Sequence, residues 1–125
     1  LWVIKAFPPK KDIIPLLCFV ADEWLGNMKW HKYWGLILYI LEAISSQDIK
    51  VVHYHRLYEI NKKVLADLRR DTDDYFTMDL AYEIKHIAYV VKTEEMKELV
   101  AANIDHPVER LAEKLKETLE LLNKK

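Results

Sequence analysis

Only two glycines and one cysteine occur in the 125 residues of this chain. Gly26 and Gly35 stand alone, so neither a phosphate-cradling loop nor a dinucleotide-binding turn can be assembled, since both need several glycines close together. Cys18 has no partner for an intrachain disulfide, and a reducing, cytoplasmic setting is the expectation. Set between Leu17 and Phe19, it reads as a small buried hydrophobe rather than a nucleophile. Serine occurs only at Ser45 and Ser46, without the pattern of a nucleophile elbow. The longest apolar run, YWGLILYIL from Tyr33 to Leu41, is far short of the ~20 residues of a membrane span, so no membrane partner is expected. LWVIKAFPPKK at the start breaks its apolar run at Lys5 and lacks the core of a secretory leader.

What the chain does contain favours helices. Half of it is apolar, and Leu, Lys, Glu, Ala and Ile dominate. The expected fold is mainly α: a single domain over 12–125, with five to six helices, a short β element near 49–55 and an extended arm over 1–11 marked by Pro8 and Pro9. Asp12 caps a first helix to about Leu25, with Pro15 tolerated in its first turn. Met28 to Ile44 is apolar nearly all round, so Trp30, Trp34, Ile37, Leu38 and Leu41 are expected in the core. IKVVHYH has the β-branched and aromatic content of a strand, which would put Ile49, Val51, His53 and His55 on one side. Leu57, Ile60, Val64, Leu65 and Leu68 then give a helix to about Arg70. Leu80, Ile84, Ile87 and Val91 give another, although Tyr75 to Met78 also alternates like a strand. A short helix follows from about Thr93, and Pro107 opens a last one over about 107–123.

Charge is unevenly spread. Between Lys50 and Arg70, Lys50, Arg56, Lys62, Lys63, Arg69 and Arg70 face only Glu59 and Asp67, while the whole chain has a net charge of −1. A basic stretch in a mildly acidic chain is the footprint of a nucleic-acid contact, because phosphate neutralisation supplies much of such affinity. Lys32, Arg56, Lys62, Lys63, Arg69 and Arg70 are therefore the candidate contacts to double-stranded DNA. A solvated helix face also carries lysines with no partner at all. The candidate metal ligands are His53 and His55, with Glu83 and His86 three apart in EIKH. A di-iron bundle would need a second such Glu-x-x-His pair, which the sequence lacks, and no cofactor is expected. Val108, Leu111, Leu115, Leu119 and Leu122 form a narrow apolar stripe, suited to a homodimer or a protein partner, or to packing within the monomer.

IIPLLCFVADEWLGNMKWHKYWGLILYILEA, followed by HYHRLYEINKKVLADLRRD, resembles a group of small archaeal and bacterial winged-helix-like proteins. Lys32 to Glu42 is similar to their apolar helix, His55 and Tyr58 to their turn, and Val64 to Leu68 to the helix that follows. The Gly-Pro of that turn is replaced by Arg56 and Leu57. The resemblance covers residues 13–70 at most and implies a winged-helix form and DNA binding. The first functional expectation is thus an intracellular DNA-binding protein, a dimeric transcription regulator. The others are a non-enzymatic helical subunit of a larger assembly and a metal-dependent enzyme built on His53 and His55.

Overall fold

The computed structural model describes residues 12–26, 34–69 and 74–124, with the side chains of all these apart from 24–26, 34 and 74–76. Six α-helices lie among them: α1 (Ile14–Gly26), α2 (Trp34–Ser45), α3 (Tyr54–Asp67), α4 (Asp74–Val91), α5 (Glu94–Ala102) and α6 (Glu109–Asn123). The arm over 1–11, Trp30, Lys32, Arg70 and the Trp34 side chain fall outside the described residues.

Each helix begins and turns where its residues dictate. The Asp12 carboxylate accepts the Ile14 N–H at 3.1 Å, satisfying one of the free donors at the start of α1. Thr93 Oγ1 does the same for Met96 at 3.2 Å in α5. The helix through Leu80 begins at Asp74, so Tyr75 to Met78 is its first turn and not a strand.

No strand exists among the described residues, which corrects the β element expected near 49–55. Lys50 is extended, but Val51–His53 forms a single 3-10 turn that runs directly into α3. A strand there needed one buried face, and Val51 and Val52 are 75% and 78% exposed. The His53 ring instead folds back, and its Nδ1 accepts the Lys50 N–H at 3.0 Å, the part that Glu or Gln plays in a capping box.

α1 packs on α2 and α3, and α4 packs on the same two helices. The four make a ring in the order α1, α2, α4, α3, so the sequence neighbours α2 and α3 sit across a diagonal. Two polar contacts fix one side of this ring. His53 Nε2 meets Asp12 Oδ2 at 2.6 Å and Lys63 Nζ meets Asp22 Oδ1 at 2.8 Å, both across 41 residues of sequence, so α1 and α3 run side by side and parallel. The core between them holds Leu17 and Cys18 of α1, Ile37, Ile40 and Leu41 of α2, Leu57 and Leu65 of α3, and Leu80, Ile84 and Ile87 of α4, all buried. Leu38 is half-buried at its edge.

α6 lies along α4 and is braced by α5. Val108, Leu111, Leu115 and Leu122 are buried and Leu119 packs partly against the same core. The stripe expected at a dimer interface is therefore covered by this chain's own helices, because α4 offers α6 an apolar flank that the sequence pattern of α6 alone does not reveal. His106 anchors the turn before it. Its Nε2 donates to the Leu65 carbonyl at 2.8 Å and its Nδ1 accepts the Val108 N–H at 3.0 Å. No described helix is long and apolar enough to cross a membrane.

Leu115→Ala is expected to cost ~2–5 kcal/mol in a urea titration, as a large-to-small change in a packed core. Burial holds the His106 imidazole below its ordinary value of 6.5, with the bond to the Leu65 carbonyl opposing the effect and Arg69 adding to it. A lowered histidine value means that the unfolded chain binds the proton more tightly. The stabilising contribution is complete above 6.5 and is lost as the pH falls through the lower folded value. Thermal midpoints taken downward from neutral pH should drop, and His106→Gln should flatten that drop.

Candidate nucleic-acid interface

The helical turn at 51–53 decides where the two central histidines point. Residues two apart on a helix do not share a face. His53 is 3% exposed, donating from Nε2 to Asp12 while Nδ1 accepts from Lys50, so both ring nitrogens are spent on structure. His55 is exposed on α3, with Glu59 on Nε2 at 3.1 Å and Glu95 of α5 on Nδ1 at 3.6 Å. Those carboxylates lie on opposite edges of the ring and cannot meet at one ion. Glu83 accepts the Ser45 hydroxyl at 2.5 Å toward α2, whereas His86 is exposed on the outer side of α4. Among the described residues no three His, Cys, Asp or Glu side chains are grouped to hold a metal ion. Cys18 is fully buried, and desolvation pushes its thiol up to about 11, which removes it as a nucleophile.

The basic residues do converge on one element. Arg56, Lys62 and Lys63 occupy the solvent arc of α3, and exposed Arg69 follows just past its end. Arg56, Lys62 and Arg69 have no ion-pair partner among the described residues. Lys62 Nζ lies 6.0 Å over the Tyr58 ring. Lys63, by contrast, is tied to Asp22 of α1, and Glu59 and Asp67 share the arc. Packing thus brings Asp22 and Glu95 to a segment whose own charge balance is strongly positive. Counting charges along the sequence could not register those two.

A second surface escaped the sequence reading. Met78, Tyr82, Lys85, His86 and Tyr89 line the outward side of α4, with Tyr82 60% and Tyr89 45% exposed. Tyr82, Lys85, His86, Tyr89 and Leu121 of α6 border a shallow groove of about 140 Å³. Glu117 binds Lys85 at 3.4 Å and Lys114 at 3.3 Å, and these lysines, Lys114 first, hold its carboxyl below the usual range. Lys92 Nζ sits 5.2 Å over the Tyr89 ring. The signal was present: the spacing of Tyr82, His86 and Tyr89 is that of an amphipathic face, yet Leu80, Ile84, Ile87 and Val91 already occupy the core side.

Compared with family models, curated proteins and solved structures, the chain finds no match.

If His53 is a structural clamp, His53→Ala should cost about 1–3 kcal/mol by leaving the Lys50 N–H unpaired. His55→Ala, on the exposed side, should stay within about 0.5 kcal/mol. Chemical denaturation of the two variants checks the contrast, and equal costs would contradict it.

Proposed function

We propose that the protein is a small non-enzymatic nucleic-acid-binding protein that holds duplex DNA phosphates against the solvent arc of α3. The observation that carries this reading is the exposure of Arg56 and Lys62 on α3 and of Arg69 just past its end, without ion-pair partners among the described residues. Unpaired guanidinium and ammonium groups on a rigid helix can exchange condensed counterions for direct phosphate contacts. Lys63 is a weaker contributor, because Asp22 must first be displaced. In its fuller form the reading is of a cytoplasmic, dimeric transcription regulator, two copies of α3 addressing two half-sites. The dimer contact then lies away from the covered stripe of α6. The winged-helix form has only the resemblance over residues 13–70 in its favour, and α2 and α3 on a diagonal are not the packed pair of a helix-turn-helix.

A helical subunit without nucleic-acid affinity is the second reading, favoured by Leu16 and Phe19, which stand 55% and 56% exposed on α1.

Fluorescence anisotropy of a labelled duplex separates the two. Three phosphate contacts predict a log–log salt slope of about −3. Binding should vanish in an Arg56/Lys62/Arg69→Ala variant and survive in Lys63→Ala. Absence of binding by the unaltered chain at low salt would sink the DNA reading in favour of the subunit.

A further inference from the structure

We propose that the outward face of α4 is a stacking platform for single-stranded nucleic acid, with bases on Tyr82 and Tyr89 and backbone phosphates on Lys92 and, once its ion pair with Glu117 is displaced, on Lys85. The two rings are seven residues apart on one helix face, which spaces them by ~10.5 Å. Tyr82 stands largely in water and Tyr89 nearly half so, while the core side of the same helix is filled by Leu80, Ile84, Ile87 and Val91. Neither ring is needed to fill the interior. Cations alternate with them along the face. Lys85 comes after Tyr82 and Lys92 after Tyr89, and Lys85, Lys92 and Lys114 outnumber the adjoining Glu117, with Asp79 at the far border. Alternating flat rings and positive charges match a strand of stacked bases on a phosphate backbone.

Backbone geometry adds a second, independent observation. Lys92 ends α4 with φ +36°, in the left-handed region where glycine carries no strain. The residue there is a lysine, and its ammonium lies 5.2 Å over the Tyr89 ring. Strained backbone of this kind clusters at binding and switch sites. The groove itself argues against other occupants. At about 140 Å³ it is smaller than the ~300 Å³ or more of a ligand pocket. With Leu121 its one aliphatic wall, it offers a partner helix a single apolar anchor in place of several.

This platform does not rest on the duplex reading, since α3 and α4 present different residues and each can fail alone. The test is anisotropy of labelled oligothymidine and oligouridine titrated with the full chain, beside Tyr82/Tyr89→Ala, Tyr82/Tyr89→Phe and Lys92→Gly variants. The alanine pair should weaken binding roughly a hundred-fold, about ten-fold per ring. The phenylalanine pair, which keeps the rings, should stay within about two-fold. Lys92→Gly should raise the thermal midpoint while weakening the complex, two readouts moving apart as a purely structural lysine would not allow. The tighter of the two oligonucleotides identifies DNA or RNA as the ligand. The proposal is overturned if neither oligonucleotide binds at low salt, or if loss of both rings leaves affinity unchanged. It is also overturned if polyglutamate binds with the same dependence on Tyr82 and Tyr89, which would make the face a site for acidic peptide.

Discussion

α4 is the wall on which every other layer of this molecule leans. It packs against α2 and α3 on the ring side and against α5 and α6 on the other, so most of its circumference is apolar. Ala81 and Ala88, both buried, let neighbouring helices approach its axis closely, while Leu80, Ile84, Ile87 and Val91 supply the bulk. At ~25 cal/mol per Å² of apolar surface removed from water, those shared contacts are the dominant favourable contribution to the fold. A helix engaged on so many sides leaves only a narrow strip in solvent. The residues of that strip, Tyr82, Lys85, His86 and Tyr89, lie outside the buried core.

Two histidines pin the ends of α3 by the same device. In each, Nδ1 accepts a backbone N–H close to the start of a helix, and Nε2 donates across to another segment: Asp12 for His53, the Leu65 carbonyl for His106. Both arrangements have Nε2 as the ring's donor and Nδ1 as its acceptor. The clamp at His53 also sets the parallel register of α1 and α3 that brings Asp22 onto Lys63. One bond at the start of α3 therefore trims its basic surface nearly three turns further along the helix.

The helical elements were legible because their periodicity is strong and their punctuation clear: Asp12, Thr93 and Pro107 mark helix starts within a residue or two of the observed bounds. Residues 49–55 were not, because β-branched and aromatic content signals a strand only when one face is buried, and Val51 and Val52 are bare. His53 and His55 do not pair for the same reason: a strand period of two does not hold on a helical turn. The stripe of α6 was read correctly as apolar, but whether a copy of the chain or α4 covers it depends on tertiary packing. The charge of the 50–70 segment was counted correctly too, yet Asp22 and Glu95 come from elsewhere in the sequence to offset it. The tyrosines of α4 were visible as letters and had no meaning until the opposite side of that helix was seen to be full.

In the proposed reading this fold leaves two separate faces for nucleic acid, a basic arc on α3 and an aromatic–basic strip on α4. Mapping backbone amide shifts of the isotopically labelled chain tests it most directly, once with a duplex and once with oligothymidine. The duplex is expected to move amides on the solvent arc between Arg56 and Arg69, and the single strand those from Tyr82 to Lys92. Shifts centred on α1 around Leu16 and Phe19, or no shifts with either nucleic acid, would contradict it.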